Sequence, residues 1–368
     1  MSGGIRQVGV VVSGPYVSGL QAVLTGLVRA ADRLGIEAWA LRDGFDGLLF
    51  PERYPEGGLT KLSPRLLEGL ANIPVGITGL GRRTDPFRMR SLTADGMIEE
   101  IDRSAELLEL IRAKRLDAVI AVGGPEQLAI FWKLSRQGLP LVCIPVAIEN
   151  DIPATFLSFG YNSALTYVVE TLHRARLAAQ SLGRIAVVEV PGTQAGWLAL
   201  QAGIAASANA VLIPEIPYDL LKVAAGFSDQ ERSGWTIALV VVSEGAAPAA
   251  GAPVHPAAGS HVIEPSGLAA ETVALELQRL TSHETFPIIP GALVRGGPNT
   301  AVDWQLGMGF GAAAVRALHT GQQGVMVAFR PPDLVFTPLA EVVNRVRTVT
   351  ADTEFLLVAR AMGICLGD

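Results

Sequence analysis

Residues 117–153 decide the fold, and they read DAVIAVGGPEQLAIFWKLSRQGLPLVCIPVAIENDIP. This stretch predicts a buried strand (DAVIAVGG), a glycine turn, a helix, a second buried strand (LPLVCIP) and a compact acidic turn at Glu149, Asn150 and Asp151. In a parallel α/β sheet both turns lie at the carboxyl ends of strands, where open sheets bind their ligands. We therefore expect the chemistry of the protein at these two turns.

The composition is that of a protein with a large buried core. The chain has 368 residues, 49% of them hydrophobic, which predicts two domains. Its net charge of −6 gives no basic field that would favour nucleic acid or an anionic membrane surface as a partner. Two cysteines are too few for a disulfide framework, and no apolar run reaches membrane-spanning length. We expect a soluble cytoplasmic protein.

Apolar strands alternate with amphipathic helices along the whole chain. This alternation predicts parallel sheets with helices on both faces, in two such units. Each glycine turn that opens a helix exposes backbone N–H groups to a possible phosphate. These turns are at Gly14, Gly123 and Gly124, Gly192, and Gly296 and Gly297.

Two segments of the first half have less regular patterns. Residues 52–62 are predicted to be a polar loop. One long helix is predicted from the apolar residues Met97, Ile98, Ile101, Leu107, Leu108 and Ile111.

Four arginines fall within residues 77–90, which read ITGLGRRTDPFRMR, on a chain that is otherwise acidic. Guanidinium groups bind phosphate through two parallel hydrogen bonds, so the segment could clamp a phosphate. A solvated loop explains the same residues, and the spacing alone favours that explanation.

The acidic turn also has two explanations. One carboxylate of Glu149 and Asp151 could act as a general base on a substrate hydroxyl while the other holds a metal or positions the site. Alternatively, these residues only cap a turn or a helix, as Asn and Asp commonly do. The residues themselves leave both explanations open.

Ordered motifs over nearly the whole chain resemble those of the phosphofructokinase family. The family's S-G-G-D-x-P-G-x-N, D-G-Y-x-G-L and S-R-T-N-P-F look like residues 13–21, 43–48 and 82–87. Its G-G-D-G-S, T-I-D-N-D-I and R-x-x-V-V-E-V-M-G-R-x-x-G-W-L-A are similar to residues 123–127, 147–152 and 184–199. Its I-P-E-x-P, A-E-G-A and Q-R-G-G are echoed at residues 213–217, 243–246 and 294–297.

The resemblance implies a fold and an assembly. The fold is α/β, with two Rossmann-like three-layer αβα domains and mainly parallel sheets. Residues 1–160 plus 294–344 would form the donor-side domain, and residues 161–293 plus 345–368 the sugar-phosphate-side domain. The family's pattern also implies a homo-oligomer, either a tetramer or a dimer, that binds a small sugar phosphate in glycolysis.

Site residues follow from the same resemblance. Glu149 and Asp151 match the catalytic acidic positions, and Glu126 and Asp151 are possible metal ligands. The matching substrate-binding positions are Arg83, Arg184, Glu244 and Arg295. The matching phosphate-donor loop is Gly14, Gly123, Gly124 and Glu126. An active member would use Mg²⁺ with ATP or pyrophosphate.

The chain departs from the family's pattern at several of these sites. The family's magnesium-binding Asp is Pro125, which has neither a ligand atom nor an N–H, and its catalytic Asp is Glu149. Losing the metal ligand and the arginine that would stabilise the moving phosphoryl group removes terms on which phosphoryl transfer depends. The other departures are Pro15, Val146, Ala147, Thr193, Phe286 and Ala292.

Three hypotheses follow. The favoured one is a catalytically impaired homologue that keeps the fold, binds a sugar phosphate and acts as a regulatory or structural subunit, paired with copies of itself or with an active paralogue. The alternative is an active, divergent 6-phosphofructokinase in which Glu149 is the base and Glu126, Glu149 and Asp151 form a rebuilt Mg²⁺ site. A third hypothesis is a sensor of an allosteric effector.

Overall fold

The computed structural model describes residues 4–14, 19–54, 56–68, 75–79, 84–92, 96–249 and 268–368. The chain folds into two compact units. The first unit contains Met1–Ala147, Ile152–Gly160 and Asn299–Arg345. The second unit contains Ile148–Asp151, Tyr161–Pro298 and Val346–Asp368.

The regular elements alternate as the sequence predicts. The strands are β1 Gln7–Val12, β2 Glu37–Leu41, β3 Leu59–Leu62, β4 Met89–Leu92, β5 Ile98–Ile101, β6 Ala118–Gly123, β7 Leu141–Pro145, β8 Ile185–Val190, β9 Ala210–Leu212, β10 Leu239–Ser243, β11 Thr285–Ile288, β12 Val325–Arg330 and β13 Asp333–Pro338. The α-helices are α1 Leu20–Arg33, α2 Asp46–Leu49, α3 Pro64–Glu68, α4 Val75–Thr78, α5 Ser104–Ala113, α6 Pro125–Arg136, α7 Tyr161–Leu182, α8 Trp197–Ala205, α9 Leu220–Arg232, α10 Leu268–Leu280, α11 Ala301–His319 and α12 Glu354–Ala361. Short 3-10 helices span Pro51–Arg53, Gly291–Arg295 and Leu339–Glu341.

The first unit is built on a seven-stranded sheet of order β13-β12-β7-β6-β1-β2-β3. Its five central strands are parallel, and β3 and β13 add antiparallel edges. Alternate residues of the strands point to opposite faces. On one face Val11, Val119 and Cys143 pack with residues of α2, α5 and α6. Helices α1 and α11 pack together in the same unit.

Helices α1 and α11 approach each other closely because glycines lie at their crossing. A Cβ at Gly26 would lie 2.1 Å from the carbonyl oxygen of Met308, and a Cβ at Gly311 would lie 2.1 Å from that of Val23. Neither position has room for a side chain unless the helices separate.

The second unit has a four-stranded, fully parallel sheet of order β11-β8-β10-β9. On one face Ile185, Val187, Val240 and Val242 pack with residues of α9 and α10. Helices α7 and α8 contact the same sheet, and the alternation of side chains assigns them to the other face. Both units are therefore helix-covered, mainly parallel α/β sheets, as predicted.

Two local predictions are wrong. Residues 59–62 form the edge strand β3, which pairs antiparallel with β2, whereas a polar loop was predicted there. Residues 98–101 form β5, which pairs with β4, so the predicted long helix begins only at Ser104. The Asp102 carboxylate accepts the Ser104 N–H at 2.8 Å, and this side-chain bond accompanies the start of the helix.

The division of the chain has two details of interest. The acidic turn Ile148–Asp151 is grouped with the second unit. Residues 294–298, assigned from the family's pattern to the donor-side domain, are also grouped with the second unit, where the 3-10 helix Gly291–Arg295 contacts α7. Among the described residues, no helix combines the length and the hydropathy needed to cross a membrane.

Candidate active site

The glycine turns of the first unit lie at the carboxyl edge of its sheet. The Ser13 N–H donates to the Val122 carbonyl at 3.0 Å, and the Val146 N–H donates to the Gly123 carbonyl at 3.1 Å. These bonds join the ends of β1, β6 and β7. Gly14 has a φ of +107°, in the region that favours glycine. Gly14, Gly123 and Gly124 therefore lie at one edge of the sheet.

Gln127, which the sequence analysis did not single out, contacts this turn directly. It is buried, with 5% of its surface exposed, and its Oε1 accepts the Gly124 N–H at 3.2 Å. A Cβ at Gly123 would lie 2.6 Å from the Gln127 Cβ. The prediction that this turn presents its N–H groups to a phosphate is thus wrong for Gly124, whose N–H is bonded within the protein. The signal in the sequence was a Gln three residues after an N-cap, a common capping pattern.

Pro125 and Glu126 form the first turn of α6. Proline suits this position because the N–H that it lacks would have no partner inside the helix. Glu126 is exposed, and a carboxylate in a first turn is stabilised by the helix dipole. Their position at the start of the helix is thus enough to explain why both residues occur here, and Pro125 offers no hydrogen-bond donor to a ligand.

The acidic turn has an unusual backbone and an unusual carboxylate. Asn150 is 1% exposed and has a φ of +54°, a left-handed conformation that Asn tolerates better than most residues. Within the described part of the chain, Asp151 Oδ1 is buried and has no hydrogen-bond partner. Burial raises the pKa of the Asp151 carboxyl above its ordinary value, because the charged form loses its hydration. Glu149 beside it is half-buried.

A cap alone does not explain Asp151. A carboxylate that served only as a cap would accept hydrogen bonds and have a lowered pKa. A desolvated carboxylate with one oxygen that has no hydrogen-bond partner is instead typical of residues that meet a ligand or a proton. The geometry therefore favours the functional explanation of the turn over the capping explanation.

Glu244 follows β10 at the carboxyl edge of the second sheet. Its N–H donates to the Val190 carbonyl at 3.0 Å, and the Gly245 N–H donates to the Gly192 carbonyl at 3.0 Å. A Cβ at Gly245 would lie 1.9 Å from the carbonyl oxygen of Thr193. The loops after β8 and β10 are therefore held together, and Glu244 has a fixed backbone.

Arg184 is not near Glu244 within the second unit. It immediately precedes β8 at the amino edge of the sheet, where its Nε contacts Glu284 Oε2 at 2.7 Å. A six-residue strand spans about 20 Å, and Glu244 follows the opposite end of the neighbouring parallel strand. One copy of this unit thus does not bring together all the predicted substrate-binding residues.

The remaining predicted residues differ in how far the structure describes them. Arg295 ends the 3-10 helix after β11, beyond the carboxyl edge of the second sheet, and is half-buried. Arg83 lies outside the described residues. Thr84, which follows it, is buried and donates a 2.6 Å hydrogen bond to Asp46 Oδ1. That bond anchors the chain directly after Arg83.

A magnesium ion would find one suitable oxygen in the acidic turn. Mg²⁺ is usually held by one or two carboxylates together with water and substrate phosphates. The unpartnered Asp151 Oδ1 fits the part of one such carboxylate oxygen. In the described residues, no three His, Cys, Asp or Glu side chains form a group suited to a metal.

The match to known proteins extends over almost the entire chain. The model of the family described as "Phosphofructokinase" matches residues 7–318. The chain is 34% identical over 363 residues to an ATP-dependent 6-phosphofructokinase of Chloroflexus aurantiacus, covering 99% of this chain and 98% of the relative. It is 36% identical over 347 residues to ATP-dependent 6-phosphofructokinase 3 of Streptomyces coelicolor, covering 93% and 96%.

Solved structures have the same fold at lower identity. The crystal structure of a pyrophosphate-dependent phosphofructokinase from Nitrosospira multiformis aligns with a TM-score of 0.77 and 21% identity, covering 100% of this chain and 93% of that one. At that identity the likeness concerns the fold alone. The family match and the full-length relatives carry the assignment: the chain belongs to the phosphofructokinase family.

Proposed function

We propose that this protein is an active phosphotransferase of the 6-phosphofructokinase type, with fructose 6-phosphate as acceptor and ATP as donor. The observation that carries the proposal is the buried, unpartnered Asp151 carboxylate oxygen in the acidic turn. It is supported by relatives named ATP-dependent 6-phosphofructokinase that match from end to end. This choice reverses the preference drawn from the sequence, which favoured an impaired homologue.

Glu149 is the proposed general base. Its carboxylate accepts the proton of the sugar hydroxyl as that oxygen attacks the terminal phosphorus of ATP. The bond from this phosphorus to the bridging oxygen of the β-phosphate breaks, and ADP leaves with that oxygen. Asp151 would hold Mg²⁺, which when bound neutralises charge on the donor phosphates. The raised pKa of Asp151 suits a carboxylate that meets a positive partner only in the liganded enzyme.

We propose different roles for the two units. The first unit binds the donor at Gly14 and Gly123. The second unit binds the sugar phosphate, with Glu244 and Arg295 beyond the carboxyl ends of its strands. Arg184 acts from a second copy, because in its own unit it lies at the opposite end of the sheet from Glu244. The active form is therefore a homo-oligomer.

The impaired homologue remains the second candidate, for one specific reason. At the donor turn the Gly124 N–H is already bonded to Gln127, and Pro125 has no N–H. Two groups that could bind a donor phosphate are thus missing from this turn. Such a protein would bind a sugar phosphate without transferring a phosphoryl group to it.

Calorimetry and turnover together separate the two candidates. The purified protein is titrated with ATP·Mg²⁺, with pyrophosphate·Mg²⁺ and with fructose 6-phosphate, and turnover is then measured with each donor. Binding of ATP·Mg²⁺ and turnover that Glu149→Gln abolishes support the active enzyme. Binding of the sugar phosphate without binding of either donor supports the impaired homologue. Glu99→Gln, at an exposed position of β5, is the matched control.

A further inference from the structure

We propose that Arg347 is a positioning residue for the acidic turn, acting through its own peptide group and through Trp197; this inference rests on the proposed function. The Arg347 N–H donates to the Asp151 carbonyl at 2.7 Å. The Arg347 carbonyl accepts the Trp197 indole N–H, also at 2.7 Å. One residue thus joins the acidic turn to the first residue of α8.

The Arg347 side chain reinforces this link. Its guanidinium carbon lies 4.6 Å from the centre of the Trp197 ring, a cation–π geometry. Trp197 is itself buried, with 6% of its surface exposed. Its carbonyl accepts the hydroxyl of the buried Tyr161 at 3.3 Å. The indole is therefore a fixed platform, and the guanidinium on its face limits the movement of Arg347.

A second set of hydrogen bonds holds the segment around Arg347 to the start of α8. The Glu215 carboxylate accepts the Gly196 N–H at 3.0 and 3.1 Å and the Val349 N–H at 2.8 Å. Gly196 immediately precedes α8. Residues 346–349, which we name the C-terminal strap, are thus bonded at both Arg347 and Val349.

The acidic turn needs such an external support. Asn150 is buried in a left-handed conformation, which costs energy for any residue other than glycine. The bond from Arg347 lies on the next residue, at the Asp151 carbonyl. It therefore fixes the backbone from which the Asp151 carboxylate, with its unpartnered Oδ1, projects. Freeing the strap would let the turn relax and move both carboxylates of the turn.

The variants separate the side chain from the backbone bonds. Arg347→Leu removes the guanidinium, Trp197→Phe removes the indole N–H and keeps an aromatic ring, and Arg347→Lys keeps a cation for the ring. Arg345→Leu, at an exposed arginine two residues earlier, is the control.

Kinetics test the proposal if the wild type turns over. We expect Arg347→Leu and Trp197→Phe each to lower kcat about 10- to 100-fold, as misplacement by an ångström does, with KM for fructose 6-phosphate within about twofold. The double variant should lose no more than the worse single one, and Arg347→Lys should recover part of the loss. Unchanged kcat with a lower Tm would mean a purely structural role and overturn the proposal.

Hydrogen exchange tests the same proposal independently of activity. In the full-length protein, Arg347→Leu and Trp197→Phe should speed amide exchange in peptides covering residues 148–152 and 346–349, and Arg345→Leu should not. If the wild type shows no turnover, the proposed function has failed and exchange alone decides on Arg347. Exchange at residues 148–152 that stays at the wild-type rate would refute the positioning role.

Discussion

Replacing Asp151 by Asn should make the protein more stable and less active. In the folded protein Asp151 Oδ1 is buried without a partner, and burial raises the pKa of the carboxyl. The folded state therefore binds this proton more tightly than the unfolded chain does. Stability consequently falls as pH rises above the ordinary aspartate value of 3.8, until the folded group is fully ionised. The neutral amide of the variant avoids that loss.

The expected gain in stability of Asp151→Asn follows from Asp151 Oδ1, the buried atom without a hydrogen-bond partner. A buried polar atom without a hydrogen bond costs about 1–3 kcal/mol. An amide relieves part of that cost, so about 1 kcal/mol is expected at pH 8. For a unit of this size, 1 kcal/mol corresponds to about 2–4 °C in Tm. Well below pH 3.8 the Asp151 carboxyl is protonated in both the folded and the unfolded protein, so the difference in stability between Asp151→Asn and the wild type should disappear.

Thermal unfolding at several pH values, with turnover assays, makes the test. The control is Asp352→Asn, because a hydrogen bond from Thr350 lowers the pKa of Asp352 and predicts the opposite pH trend. A higher Tm at pH 8 with lost turnover marks a carboxylate kept for function at a cost in stability. A lower Tm of Asp151→Asn at pH 8 would show that the buried carboxylate does not destabilise the fold, and full turnover would show that it is not needed for activity.

Two further predictions concern the fold and the donor turn. Gly311→Ala should lower the free energy of unfolding, measured with urea, by about 1–3 kcal/mol, because its Cβ would lie 2.1 Å from the Val23 carbonyl oxygen. The control is Gly309→Ala in the same helix, whose Cβ meets only the Leu334 side chain, at 3.1 Å. It should leave the free energy of unfolding unchanged or raise it slightly. Equal loss in both variants would contradict the close helix crossing. Gln127→Ser should free the Gly124 N–H and tighten ATP·Mg²⁺ binding about three- to tenfold by calorimetry, whereas an unchanged Kd with a lower Tm would reduce Gln127 to a helix cap.

Much of the fold can be predicted from local patterns in the sequence. The buried strands β1, β6, β7 and β8 and the helices between them follow from uninterrupted apolar runs and helical periodicity. The strand β5 does not, because its exposed Ile98 and Ile101 fit a helical pattern equally well. Only the pairing with the neighbouring strand β4 distinguishes the two, and the residues of β5 alone do not reveal that pairing.

The site is less predictable because it depends on how loops meet. The sequence identifies Asp151 as a candidate, but its missing hydrogen-bond partner follows only from burial in the fold. Arg347 is nearly 200 positions later in the sequence, and its bond to Asp151 follows from the return of the C-terminal strap to the second unit. Similarly, nothing in the spacing of Arg184 and Glu244 reveals that a strand separates them.

The most direct test of the central claim is phosphorus NMR of the wild-type protein with ATP, Mg²⁺ and fructose 6-phosphate, run beside Glu149→Gln. We expect the wild type to produce a second sugar phosphomonoester signal and an ADP signal that grow together. The variant should produce them about 10²- to 10⁴-fold more slowly, because its amide cannot accept the hydroxyl proton. Equal rates with Glu149→Gln would show that Glu149 is not the general base. No new phosphomonoester with the wild type would show that the protein does not phosphorylate fructose 6-phosphate.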